Sequence, residues 1–203
     1  MFLHRYREEA AEIARRLDVA TMDAMVQRLV RLREEGGRLF LCGVGGSAAN
    51  CSHAVNDFRK LTGIEAYSPV DNVSELTART NDEGWETVFA EWLKVSRACK
   101  RDALLVLSVG GGSRRPLISA NLVAAIDEAK ARGMDVLGIV GRDGGYTRQK
   151  GDWVLVVPTV NPQNITPHTE AFQAVIWHAL VCDPRLMQQG NKWETTTAAK
   201  VSR

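Results

Sequence analysis

The chain has no excess of either charge: 26 Lys plus Arg stand against 24 Asp plus Glu, interspersed from end to end. Chains that bind nucleic acid or a membrane surface gather one sign into patches, so neither partner is expected. A long hydrophobic run is also missing. The opening segment, MFLHRYREEAAEIARRLD, breaks its apolar residues with charges every few positions, and no later run approaches the ~20 residues a bilayer span needs. A cytoplasmic protein is expected. Cysteine is sparse, and Cys42, Cys51, Cys99 and Cys182 form no C-x-x-C pair, which argues against a cysteine zinc site and predicts reduced, packed thiols. Internal repeats and low-complexity tracts are absent.

The 203 residues suit one domain with a full core. Apolar positions recur at helical spacing over 4–17 and 20–35, with Ile13, Leu17, Met22, Met25, Val26, Leu29 and Leu32 on the inward stripe, and predict an N-terminal helical pair. Short apolar runs at 38–42, 103–108, 135–140 and 153–157 are bounded by Gly, Asp or Pro and predict strands buried on both faces. Helical patterns lie between them at 48–61, 82–99 and 119–131. Strands alternating with helices predict a doubly wound α/β sheet. A last helix over 169–182 is apolar on nearly every face, which predicts burial in the core or against another subunit. One domain over 1–183 is expected, followed by a loosely ordered tail, 184–203.

Two glycine turns follow strands. The first is Gly43, Val44, Gly45, Gly46, Ser47; the second is Ser108, Val109, Gly110, Gly111, Gly112, Ser113. In an open parallel sheet, ligands bind beyond the carboxyl ends of the strands, where both turns fall. Glycines let backbone N–H groups approach an anion, and hydroxyls at Ser47, Ser108, Ser113 and Ser119 supply further donors for a phosphate. A dinucleotide is one candidate, because Gly43-x-Gly45-x-x-Ala48 fits the loose fingerprint and Glu65 lies near its acidic position. A small sugar phosphate is the other. Tight turning alone also explains the glycines.

His53 and Asp57 are spaced i, i+4 and share one face of a helix. Glu170 and His178 lie in the late segment TPHTEAFQAVIWH. Taken singly, each has a bland explanation as a hydrogen-bonded pair, a core histidine or a first-turn acid. Together the four suit a borderline cation such as zinc, or proton movement between adjacent carbons. Eight residues of helix separate Glu170 from His178 by about 12 Å, so a shared ion requires Glu170 to bend inward or a ligand from another subunit.

Taken in order, GVGGSAANCSHAVNDF, NDEGWETVFAEWL, LSVGGGS, ISANLVAAIDEAKARGMDVLGIVGRDGG and EAFQAVIWH resemble the phosphosugar-binding SIS domains, and within them the sedoheptulose 7-phosphate (phosphoheptose) isomerases. The similarity runs from the N-terminal helices to about Cys182. It implies a three-layer α/β/α sandwich with a flavodoxin-like sheet and a homotetramer with sites at subunit interfaces. It also implies conversion of sedoheptulose 7-phosphate to glycero-manno-heptose 7-phosphate for activated-heptose synthesis. By position, His53 matches a zinc-ligand histidine, Asp57 a glutamate that is ligand and base, Glu170 a glutamine ligand, and His178 a histidine that is ligand and acid/base. Zn2+ is the implied cofactor, bound by His53, Asp57, Glu170 and His178. Asn81 and Asp82 match a substrate-contacting pair, and Gly45, Gly46, Ser47, Ser108, Val109, Gly110, Ser113 and Ser119 fall in the phosphate- and sugar-binding turns.

This chain departs from the family pattern in several places. Val44 stands for an asparagine in the first turn, Val109 and Gly110 replace hydroxyl residues in the second, and an extra SRRPLI precedes SAN. Arg114 and Arg115 in that insertion are candidates either for replacement phosphate donors or for a solvated loop. Two carboxylates in the ligand set would neutralise a divalent ion, so metal-free acid/base chemistry remains an alternative. The expected activity is an enediol aldose–ketose isomerase in which Asp57 or Glu170 takes the carbon-bound proton and His178 shuttles the hydroxyl proton. The alternatives are action on another sugar phosphate, a non-catalytic SIS tetramer that binds phosphosugar or protein, and a nicotinamide-dependent oxidoreductase.

Overall fold

A computed structural model describes residues 1–190, 192 and 193. The N-terminal pair is α1 (Phe2–Arg16) and α2 (Val19–Glu34), the second capped by Asp18, whose carboxylate accepts from the Thr21 N–H at 3.2 Å. The sheet strands are β1 (Arg38–Gly43), β2 (Glu65–Tyr67), β3 (Ala103–Ser108), β6 (Asp135–Val140) and β7 (Trp153–Val156), all parallel in the order β2-β1-β3-β6-β7. Each strand alternates its apolar side chains between the two faces. Leu39, Leu41, Leu105, Leu107, Leu137, Ile139 and Leu155 face one core, shared with α1, α2, α3 (Gly46–Thr62) and α8 (Ile165–Cys182). Phe40, Cys42, Leu104, Val106 and Val136 face the other, shared with α5 (Val88–Val95) and α6 (Ala120–Ala131). These are the three layers expected.

Several elements differ from expectation. The predicted helix over 82–99 is instead the end of α4 (Val73–Asp82), a turn, and the shorter α5. Gly84 takes φ 98° there, and its N–H closes onto the Arg79 carbonyl at 3.0 Å, while Thr87 bonds the Gly84 carbonyl and launches the next helix. The last helix begins at Ile165, four residues earlier than predicted. Pro167 falls in its first turn, where a missing N–H costs nothing. Three pieces escaped the pattern reading: β2, α7 (Gly145–Lys150), and an antiparallel hairpin of β4 (Ser113–Arg114) and β5 (Leu117–Ile118). The hairpin is the SRRPLI insertion. Beyond Pro184, Leu186 is fully buried and the Gln188 N–H bonds the Leu61 carbonyl at 2.7 Å, so the first part of the expected tail is packed. Positions 191 and 194–203 lie outside the described residues.

None of the four cysteines is in a disulfide, and burial pushes the Cys42 and Cys51 thiols up. Among the described residues no helix is long and apolar enough to cross a membrane.

One buried polar cluster ties α1 to the loop before α8. The Glu9 carboxylate, 6% exposed, accepts from Asn161 Nδ2 at 2.7 Å and Asn164 Nδ2 at 2.8 Å, and meets His168 Nε2 at 2.9 Å. The Asn164, His168 and Asn161 bonds hold its pKa down at about 2, against an ordinary 4.5. Stability that depends on ionised Glu9 is therefore complete above pH 4.5 and is lost as pH falls through about 2. In melting curves across pH, Glu9→Gln is expected to lie below wild type near neutrality, with the gap closing below about pH 2.

Candidate active site

Helices α3 and α8 pack side by side on one face of the sheet and carry three ionisable side chains to a common point. Asp57 Oδ2 lies 3.9 Å from His53 Nε2 on its own helix and 3.7 Å from His178 Nε2 on the neighbouring one. These separations exceed hydrogen-bond length but match donors arranged around one small cation, since bonds of about 2.0–2.2 Å place neighbouring ligand atoms roughly 3–4 Å apart. One ligand atom from each of the three lies within 4.8 Å of the others. The residues therefore fit a zinc ion.

The rings are oriented from behind. His178 Nδ1 is 2.7 Å from the Ala174 carbonyl, which can only accept, so Nδ1 carries the proton and Nε2 presents its lone pair to the site. Trp177, fully buried, forms the floor: His178 stacks on it at 3.5 Å and His53 meets it edge-on at 4.8 Å. Asn56 Nδ2 donates to the other Asp57 oxygen at 2.7 Å. The mouth is open, with the His53 side chain 58% exposed and His178 44%. The bland alternative for His178, a core histidine, does not describe its half-exposed ring, and the enclosed histidine is His168.

Glu170 does not join the cluster. Its carboxyl group lies over Gly46, where an added Cβ would sit 2.5 to 2.8 Å from the carboxyl atoms. Gly46 is the first residue of α3, so the carboxylate occupies the positive end of that helix. Asn50 supports this arrangement by donating to the Glu170 carbonyl at 2.9 Å and to Gln173 Oε1 at 3.1 Å. The three side chains that the fold brings together are one carboxylate and two imidazoles, and Glu170 stands apart from them. The arrangement weighs against a dinucleotide, because the Glu170 carboxylate lies at the helix start where a pyrophosphate would sit.

In the first turn, Gly45 takes φ 65° as the cap of α3, and Ser47 is buried behind it. The second turn is tied down by its own backbone. Gly111 and Gly112 accept at their carbonyls from the N–H groups of Thr147 and Tyr146 at 2.9 and 2.8 Å. A Cβ on Gly111 would lie 2.0 Å from the Gly144 carbonyl oxygen, so this glycine is required by turn-on-turn packing. The Ser108 hydroxyl accepts from the Gly111 N–H at 3.0 Å, and the Val109 carbonyl accepts from Gly141 at 3.1 Å. Ser113 and Gly110 line an open cavity, and Ser119 heads α6 at φ 50° without capping it. Asn81 and Asp82 end α4 at the surface, bonded to each other at 2.7 Å.

A family model described as the SIS domain matches residues 5–141. The chain belongs to the SIS-domain family. A phosphoheptose isomerase of Helicobacter pylori strain P12 is 32% identical over 163 residues, which are 78% of this chain and 79% of that protein. The lincomycin biosynthesis protein LmbN of Streptomyces lincolnensis is 36% identical over 169 residues, and this chain spans only 60% of its length. Among solved structures, the phosphoheptose isomerase GmhA of Neisseria gonorrhoeae superposes with a TM-score of 0.76 at 26% identity, covering 89% of this chain and 94% of that one.

Several residues that shape this SIS site escaped the sequence reading. Asn50 and Gln173 lock α3 to α8, and Arg142, Asp143 and Tyr146 line the cavity beside the second turn. The GRDGG stretch was visible as a motif, but nothing in one sequence says which cavity its arginine borders.

Proposed function

We propose that this protein is an aldose–ketose isomerase that converts sedoheptulose 7-phosphate to D-glycero-D-manno-heptose 7-phosphate through an enediol, in activated-heptose biosynthesis for a lipopolysaccharide or capsule. The observation that carries the reading is the His53–Asp57–His178 cluster, formed by two packed helices, α3 and α8, of a SIS fold. Isomerisation moves one proton between neighbouring carbons and another between their oxygens. Asp57 is the acceptor for the carbon-bound proton and returns it to the adjacent carbon. His178, with Nδ1 fixed on a carbonyl, moves the hydroxyl proton at Nε2. His53, Asp57 and His178 would hold zinc, which when bound would supply charge stabilisation at the substrate oxygens; in that form His178 Nε2 would be a ligand, and its proton-carrying role belongs to the metal-free site. The relatives named as phosphoheptose isomerases support the seven-carbon substrate. The test is NMR of purified protein with ketose phosphates of five, six and seven carbons. Aldose should form fastest from the seven-carbon substrate; no aldose from any of them would refute the isomerase reading.

In this reading the working form is a cytoplasmic homotetramer with its sites at subunit interfaces. The open mouth of the site supports this, as do apolar groups left bare on the single chain: Phe2 is 53% exposed, and Leu3 and Val175 are also exposed. Native mass spectrometry of zinc-loaded protein is expected to show four chains with four ions. A metal-free monomer would contradict both expectations.

A further inference from the structure

A cavity of ≈ 640 Å³ opens between the β4–β5 hairpin and the segment after β6, with Gly110, Arg114, Arg115, Arg142 and Asp143 in its wall. Its three arginines are not equivalent. Arg114 is already engaged: it bonds Asp127 and lies over the Tyr146 ring at 5.0 Å, and the Tyr146 hydroxyl donates to the same carboxylate at 2.6 Å. Arg115 and Arg142 are exposed and, among the described residues, have no ion-pair partner. Arg142 Nη1 is 3.8 Å from where a Cβ on Gly110 would lie, so this guanidinium stands directly over the second glycine turn. Its backbone, at φ 52°, is set by bonds from the flanking Gly141 N–H to the Val109 carbonyl and from the Gly144 N–H to the Gly141 carbonyl. Two unpaired guanidinium groups thus face one carboxylate, Asp143.

Two competing anion positions are taken. The start of α3 is covered by the Glu170 carboxylate, which would repel a phosphate. The N–H groups of Tyr146 and Thr147 at the start of α7 are bonded to the Gly112 and Gly111 carbonyls. An unpaired guanidinium presents several N–H donors in a fixed fork and remains charged at every working pH, which suits a phosphate monoester dianion.

We propose that this cavity is the subsite for the substrate's phosphate, held by Arg115 and Arg142 where the turn itself has lost hydroxyl donors. The inference rests on the phosphosugar reading for the identity of the ligand, but not for the existence of an anion site. Its test is calorimetric titration of inorganic phosphate into the native protein at constant ionic strength. Arg142→Ala and Arg115→Ala are each expected to weaken binding about tenfold or more, with Arg142→Lys intermediate and Arg114→Ala near wild type. The KM for sedoheptulose 7-phosphate should rise in parallel while kcat stays nearly constant. Failure of wild type to bind phosphate, or equal affinity in folded Arg115→Ala and Arg142→Ala, would overturn the assignment and leave the isomerase reading standing. Loss of phosphate binding in the variants of a protein that turns over no ketose phosphate would uphold the anion site and refute the isomerase.

Discussion

Replacing His178 with alanine is expected to lower kcat by roughly 10²–10⁴-fold, the usual contribution of a positioned acid or base, while the fold persists. The side chain is 44% exposed and makes one hydrogen bond, to the Ala174 carbonyl of its own helix. Its removal therefore opens no cavity, and the core beneath, including Trp177, keeps its packing. What is lost is a nitrogen lone pair held 3.7 Å from the Asp57 carboxylate. Steady-state kinetics paired with thermal melting separate the two effects. Turnover within a few-fold of wild type would remove His178 from the chemistry.

Asp57→Asn should be comparably damaging, again about 10²–10⁴-fold in kcat, for a different reason. Size and hydrogen-bonding capacity are nearly kept, but the amide can neither accept the substrate proton nor balance a cation between two neutral imidazoles. Asp57 is the only member of the cluster within 4 Å of both histidine nitrogens. Zinc content, measured by elemental analysis after dialysis, should fall together with activity. Asp57→Glu restores the charge one methylene further out and should recover part of both. An active, zinc-replete Asp57→Asn would show that the carboxylate is only a neighbour.

Much of this fold was legible because its signals are local. The runs at 103–108 and 135–140 coincide with β3 and β6, since a strand buried on both faces must be apolar throughout and its boundaries are set by Asp, Ser and Gly. The sequence predicts one helix over 82–99 because its apolar period continues across Gly84, and only the backbone hydrogen bonds show that the chain turns there. In the site, His53 and Asp57 were legible from one helical turn. His178 joined them only through the packing of α3 on α8, which no single sequence displays. Glu170 shows the opposite limit: its position in the chain matches a ligand, yet helix rise keeps it from His178, and the open space over Gly46 at the α3 terminus gives its carboxylate a separate place.

The same distinction governs the two glycine turns. Their place after strands marked both as candidate anion sites, but in the structure the first carries a resident carboxylate, and the second spends two carbonyls on the Tyr146 and Thr147 N–H groups and its closest glycine contact on Gly144. The positive charge near the second turn comes instead from arginines whose relevance depends on a hairpin and a loop 27 residues apart in the chain, Arg115 and Arg142.

The most direct test of the central claim is NMR of sedoheptulose 7-phosphate incubated with the protein in heavy water. An enediol isomerase predicts heptose 7-phosphate carrying deuterium at carbon 2, and ketose recovered with deuterium at carbon 1. Ketose recovered unlabelled at carbon 1, with no aldose formed, would contradict it.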